Sequence, residues 1–271
     1  MKDLFYKLYE EAVIDAPTDI KLFRKIFLEK LKFYPETYRE DFCGTFNHSI
    51  EWIKSNQHNE AWAIDLSKEP LNFGRTHNLI KLDEVQKSRI HILQQDVRKK
   101  LTKKVDFITA MNFSYCVFKE RKTLKDYFTA AYQSLDKKGL FLIDVLGGSL
   151  VQEPSEDKRR IPKSKNIQRF NYFWEQFNFD PITSEAKFAI HFQGPDSKKK
   201  IKNVFTYDWR MWSLPELRDL MLECGFNKTY VYWEGSRRNG TGNGIFSERE
   251  HEEDCLVWIA YLIGEKNAYS L

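Results

Sequence analysis

The chain has 271 residues, a net charge of +4, 42% hydrophobic and 30% charged residues, which is enough apolar material for one large globular domain or a domain with an elaboration. No segment supplies the long uncharged apolar run of a signal peptide or membrane span, so a soluble cytoplasmic protein with no membrane partner is expected. Cys43, Cys116, Cys224 and Cys255 are far apart and share no ligand spacing with histidine, which suggests neither a disulfide framework nor a metal site.

Two helical patterns open the chain. Leu4, Leu8 and Ala12 recur at helical spacing, and Ile20, Phe23, Ile26, Phe27 and Leu31 follow on one face, with Thr18 or Asp19 as the expected cap. The middle alternates as a doubly wound α/β domain does. Strands are expected at 37–42, 61–66, 90–94, 105–111 and 140–145, helices at 47–55, 70–79 and 123–135, and a turn at Lys137-Lys138-Gly139. The fourth and fifth strands are almost continuously apolar, as buried parallel strands are.

Residues 151–212 break this alternation. Charge and two prolines, Pro154 and Pro162, make their opening part a loop, and three strands follow around Asn171–Phe177, Lys187–Gln193 and Asn203–Arg210. The segment holds 12 Lys and Arg against 8 Asp and Glu, so it carries the whole net charge, and it contains 12 aromatic residues. Ser213-Leu214-Pro215-Glu216 then starts a capped helix that ends at Gly225. Strands at 228–233 and 256–263, joined by a glycine-rich excursion from Arg237 to Gly244, close the domain. The organisation expected is a helical cover over 1–35, an α/β domain formed by 36–150 and 213–271, and an antiparallel insertion, a substrate lid, over 151–212.

One set of residues carries chemistry. Arg39-Glu40-Asp41-Phe42-Cys43-Gly44-Thr45 makes a tight turn after the first strand, Asp65 ends the second strand 21 positions after Gly44, and Asp96 follows the third. About 20 positions between a glycine turn and a strand-end carboxylate set an acceptor pair beside a ribose diol. A full Gly-x-Gly-x-x-Gly run is missing, which argues against a nicotinamide dehydrogenase.

This pattern resembles the class I S-adenosylmethionine (SAM)-dependent methyltransferases, whose first loop reads acidic-x-Gly-Cys-Gly-Thr-Gly. Glu40, Cys43, Gly44 and Thr45 fit it, while Phe42 and Phe46 replace the outer glycines. Trp212-Ser213-Leu214-Pro215-Glu216-Leu217 through Cys224-Gly225-Phe226 resembles the family's closing helix. The resemblance implies a doubly wound, mostly parallel seven-stranded sheet with an antiparallel insertion after strand five. It implies SAM as cofactor, the 39–45 loop at the methionine end with Arg39 on its carboxylate, Asp65 and Leu66 at the ribose, and Asp96 and Val97 at the adenine. Tyr6 and Tyr9 of the cover become candidate cofactor contacts.

Asn112-Phe113-Ser114-Tyr115 partly resembles the Asn/Asp-Pro-Pro-Tyr/Phe loop of amino-group methyltransferases, without its prolines. By that resemblance Asn112 and Tyr115 hold the acceptor, Asn112 and Phe113 also border the cofactor, and Asp144 is a second place to fix an acceptor or take a proton. Tyr172, Trp174, His191, Tyr207, Trp209 and Arg210 are the substrate-binding candidates of the insertion; strand alternation sends only about half of such residues inward. The leading expectation is methyl transfer to nitrogen or oxygen of a small-molecule acceptor. RNA, DNA or protein as acceptor, and a non-catalytic binding protein with a degenerate methyltransferase fold, remain open, as does the oligomeric state.

Overall fold

The computed structural model describes residues 2–165, 167–237, 242–253 and 255–267. Two helices, α1 (Lys2–Val13) and α2 (Ala16–Leu31), precede the first strand. Then come β1 (Thr37–Asp41), α3 (Asn47–Ser55), β2 (Glu60–Asp65), α4 (Lys68–His77), α5 (Glu84–Lys87), β3 (Ile90–Gln94), β4 (Val105–Ala110), α6 (Arg121–Ser134) and β5 (Leu135–Gly147). Four strands follow, β6 (Ser155–Ile161), β7 (Phe170–Asp180), β8 (Glu185–Gln193) and β9 (Ile201–Arg210), before α7 (Leu214–Glu223), β10 (Lys228–Ser236), β11 (Gly242–Glu248) and β12 (Trp258–Asn267).

The main sheet has the order β11-β10-β12-β5-β4-β1-β2-β3. β1 to β5 run parallel, and β12 lies antiparallel between β5 and β10. The seven expected strands are therefore joined by an eighth, β11, an antiparallel neighbour of β10. Part of the segment read as a glycine-rich excursion forms it; residues 238–241 lie outside the described residues. At 136–139 the expected turn is a bulge within β5, because Val105 pairs with Leu135 and Phe107 already with Leu140.

The insertion is a separate antiparallel sheet of order β6-β7-β8-β9. β6 lies in the stretch read as a loop. It is a charged edge strand, almost wholly exposed and flanked by the two prolines, a composition that protects a sheet edge and hides the strand from pattern reading.

The two N-terminal helices go to different places. α1 buries Leu8 and Ala12 against Phe170, Tyr172, Ile190 and Phe192 of the insertion, whereas α2 buries Phe23, Ile26 and Phe27 against Tyr38 and Phe107 of the main sheet and Trp52 of α3. The cap of α2 is Asp15, whose carboxylate accepts from Thr18 N, one turn before the expected Thr18 or Asp19; Pro17 fits the first turn, where no backbone N–H is needed. α7 starts on the reciprocal hydrogen bonds of Ser213 and Glu216. Among the described residues no helix is long and apolar enough to cross a membrane.

Candidate active site

The loop from β1 to α3 sits at the carboxyl end of the parallel strands, where open α/β sheets take their ligands. Phe42, Gly44 and Phe46 all have positive φ, of 53°, 52° and 52°. Two phenylalanines thus hold a left-handed conformation that glycine would adopt freely, at a cost of roughly 1–2 kcal/mol each, and packing keeps them there. Phe42 packs edge-on against Tyr127 and at a tilt against Phe118, and Phe46, fully buried, lies over Gly74 of α4. A Cβ at Gly74 would stand 2.2 Å from the Phe46 ring. The missing outer glycine of the loop is matched by a glycine on the helix that receives the ring. Gly44 itself faces open space, with nothing within 4 Å of where its Cβ would be.

Glu40, Cys43, Gly44 and Thr45 line a small cavity of about 160 Å³ together with Tyr6, Tyr9, His48 and Asn112. Burial and the neighbouring carboxylates push the Cys43 thiol well up, so it is a packing group. Asp65 ties the loop to β2: Oδ2 accepts from Gly44 N at 2.8 Å and Oδ1 from Ser67 N at 2.7 Å. Burial raises its pKa against these donors and a third from the Leu66 backbone. With about four lone-pair positions the carboxylate keeps acceptor capacity beyond them. Asp96 accepts bidentate from Arg98 at 2.5–3.1 Å, and that hydrogen bond lowers its pKa. Leu66 is exposed and Val97 is buried in the core. Asp65, Leu66, Asp96 and Val97 lie outside the walls of this small cavity, at the neighbouring ends of β2 and β3.

A second cavity of about 730 Å³ lies between the main sheet and the insertion. Tyr9, His48, Met111, Asn112 and Tyr207 border both cavities, so the two meet there. Asn112 and Phe113 are consecutive left-handed residues, with φ of 59° and 55°. Asp144, at the facing end of β5, holds this strained turn: its carboxylate accepts from Asn112 N at 2.7 Å and Phe113 N at 2.8 Å. Burial pushes Asp144 up to about 7 in spite of these donors.

His48 is a site residue that sequence reading missed. It is buried on α3, with Nε2 donating to Asp19 at 2.8 Å and Nδ1 donating to Glu40 at 3.3 Å. Burial would lower its pKa, but the two carboxylates prevail and hold it at about 10, so the ring is an imidazolium joining α2 to β1. Glu40 also accepts from Ser49 N and Oγ. The only sequence signal was position, eight residues after Glu40 on the helix that follows the loop.

Four of the insertion candidates, Tyr172, Trp174, Tyr207 and Trp209, are on the wall of the large cavity. Tyr9 and Tyr207 are hydrogen-bonded through their hydroxyls. Other candidates sit elsewhere. His191 alternates with the inward Ile190 and faces the opposite side of its sheet, where Nδ1 accepts from Asn203 N and Nε2 donates to Glu175 at 2.6 Å. Glu156 completes a group with metal-ligand spacing there, but the Asn203 bond fixes the His191 proton on Nε2 and Lys200 already pairs with Glu156, which disfavours a cation. Arg210 also points away: it donates to Lys119 O at 3.0 Å and lies over the Trp212 ring.

Two further expectations need correction. Arg39 is fully buried and spends its guanidinium on Asp41 at 2.6 Å, Val97 O at 2.6 Å and Ser134 Oγ at 2.8 Å, so it braces β1 against α6 and is on neither cavity wall. Tyr115 is 1% exposed and joins the core around Tyr127 and Phe128, because the left-handed turn before it swings the chain inward; Phe113 and Ser114 are the residues that reach the cavities.

No protein-family model and no curated protein sequence matches the chain. Solved structures do. A SAM-dependent methyltransferase from Clostridium acetobutylicum matches with a TM-score of 0.65 and 18% identity over 96% of this chain and 97% of that one. A SAM-bound amino pentose methyltransferase from Micromonospora echinaspora matches with a TM-score of 0.67 and 9% identity, over 95% and 96%. A sugar N-methyltransferase from a Streptoalloteichus species matches with a TM-score of 0.61 and 12% identity, over 96% and 92%. With the observed strand order and the sheet inserted after β5, these full-length matches show that the chain has the fold of the class I SAM-dependent methyltransferases.

Proposed function

We propose that the protein is a SAM-dependent methyltransferase that methylates an amine nitrogen of a small-molecule acceptor. The observation that carries this reading is the meeting of two cavities at Asn112: one lined by the β1 loop, the other by aromatic rings and carboxylates. Methyl transfer is an in-line displacement, so the protein's task is to align donor and acceptor and exclude water.

The residues present fit the cofactor. Gly44 leaves bare backbone beside the small cavity, and Glu40, Cys43, Thr45 and Tyr9 would enclose its methionine end. Asp65 would take the ribose through its remaining acceptor sites, and Asp96 and Val97 would meet the adenine. When bound, SAM supplies an electrophilic methyl group on sulfonium. Asn112 would orient the acceptor amine through its amide and backbone, and Asp144 would keep that turn in place.

Nitrogen is favoured over oxygen by charge. Asp19, Asp144 and Asp157 line the large cavity against Arg159 and the His48 imidazolium, a balance that attracts an ammonium, while Glu156 is held by Lys200 on the other face of β6. The amine must shed a proton before it attacks, and Asp144, at about 7, is suited to receive it at a carboxylate oxygen. The neighbours that act on an amino pentose and on a sugar nitrogen support the same choice. A nucleic-acid acceptor loses much of its motivation: Trp174, Tyr207 and Trp209 face the cavity, whereas Lys158, Arg160 and Arg169 line a separate outer groove, and among the described residues Arg159, over the Tyr172 ring, is the one Lys or Arg on the cavity wall.

The test is incubation with methyl-labelled SAM and a panel of amines, amino sugars, sugars and RNA, with Asn112→Ala in parallel. Label should enter amines, and the variant should lose turnover while SAM affinity changes little. Transfer to hydroxyl compounds alone would replace nitrogen by oxygen, and SAM binding without transfer to any class would leave a binding protein.

A further inference from the structure

The large cavity is chemically two-sided. Its inner end holds Tyr9, Asp19, His48, Asn112 and Asp144. Toward the opening one wall is β6, with Ser155, Glu156, Asp157 and Arg159, while the other is wholly apolar: Leu146, Leu150, Val151, Val257 and Ile259.

That apolar lip is built. Leu146 and Ile259 are direct partners across β5 and β12, and Val257, in the bend just before β12, lines the cavity with Ile259, while Trp258 turns away to pack on Trp233. The turn carrying Leu150 and Val151 is fastened at both ends: Leu150 N donates to Leu256 O at 2.9 Å, and Gln176 Nε2 donates to Val151 O at 2.6 Å. Leu150, Val257 and Ile259 nonetheless stay 43%, 53% and 38% exposed. Single exposed aliphatics are ordinary, but a held cluster that continues the wall of a binding cavity is an apolar subsite. The cavity volume also falls in the range of roughly 300–1,000 Å³ that encloses ligands of drug size, more than a methylated amine head alone would occupy.

We infer that the acceptor is amphiphilic: its amine enters toward Asn112, and an apolar body of several carbons lies along Leu150, Val257 and Ile259. This deepens the proposed function and rests on it for the direction of entry. Polar substituents of the acceptor face β6, where Asp157 and Arg159 offer both an acceptor and a donor. A small, uniformly hydrophilic amine leaves the lip wet and forgoes its contribution.

Binding reads the lip independently of turnover. n-Alkylamines from ethylamine to octylamine are titrated into the SAM-saturated protein, following the fluorescence of the cavity tryptophans Trp174 and Trp209 with calorimetry as a check. Full burial of a methylene is worth about fourfold in affinity, so the half-open lip should give roughly two- to fourfold per added carbon until the chain passes Val257. In the double variant Leu150→Ser/Val257→Ser the increment should fall below about 1.5-fold per carbon, with the SAM affinity and melting temperature of the wild type showing that the fold is intact. A flat series in the wild type, or an equal slope in the double variant, overturns the amphiphilic acceptor. Methyl transfer measured on the same amines decides the proposed function separately, since chain-length-dependent binding without transfer would keep the subsite and remove the enzyme.

Discussion

Replacing Asp144 with asparagine should make the protein more stable above neutral pH and a worse catalyst. The carboxylate is 5% exposed, and burial holds its pKa at about 7 against an ordinary 3.8. An acid with a raised folded-state pKa binds its proton more tightly when folded, so its contribution to stability is most favourable below pH 3.8 and is lost as pH rises through about 7. At about 1.4 kcal/mol per pH unit the full interval is worth roughly 4 kcal/mol. Asparagine has nearly the same shape and no charge, and its single carbonyl oxygen keeps one of the two backbone donors, Asn112 N or Phe113 N. Losing the other offsets about 1–3 kcal/mol of the gain. Urea denaturation of both proteins at pH 5 and pH 8 should show the variant ahead by about 1–3 kcal/mol at pH 8 and level or behind at pH 5. The left-handed turn is no longer held from both sides, so methyl transfer should drop at least tenfold while SAM affinity stays within about threefold. Equal pH dependence of stability in the two proteins would refute the buried, near-neutral carboxylate on which this rests.

Asp65→Ala should weaken SAM binding by about 1.5–3 kcal/mol in calorimetry, since in the proposed site the carboxylate would take the ribose and it holds Gly44 N; unchanged affinity would detach it from the site. Gly74→Ala, with its Cβ 2.2 Å from the Phe46 ring and 2.7 Å from Thr45 O, should lower stability by about 1–3 kcal/mol and shift the β1 loop enough to weaken SAM binding, although Gly74 touches neither cavity wall. His48→Gln should reduce stability at pH 6–7. Because its folded-state pKa is raised to about 10, the His48 contribution is fully present below pH 6.5 and lost as pH rises through about 10, so thermal melts of wild type and variant should converge across that interval.

The sequence by itself determined the parallel part of the sheet and the glycine loop that follows β1. Short β-branched and apolar runs such as Val105–Ala110, set between helical patterns, read as buried parallel strands, and the spacing of Gly44 and Asp65 is a local property of one β-turn-α-β unit, so both are legible without knowing what packs where. The capping box at Ser213 and Glu216 is local in the same sense. Tertiary structure decided what depends on partners far along the chain. Arg39 could not be read as a brace, because its acceptors at 97 and 134 come from other elements. Which insertion side chains face inward followed from register, which put Ile190 inside and His191 outside one residue apart. β6 was invisible because an edge strand needs only one hydrogen-bonded side and can be charged on both faces. His48 acquired its charge from Asp19 and Glu40, 29 and 8 residues away, and Asp144 its place under the left-handed turn from the backbone N–H groups of Asn112 and Phe113, 32 and 31 residues away. Electrostatics of this kind depends on distance in space rather than along the chain, and only the packed structure sets those distances.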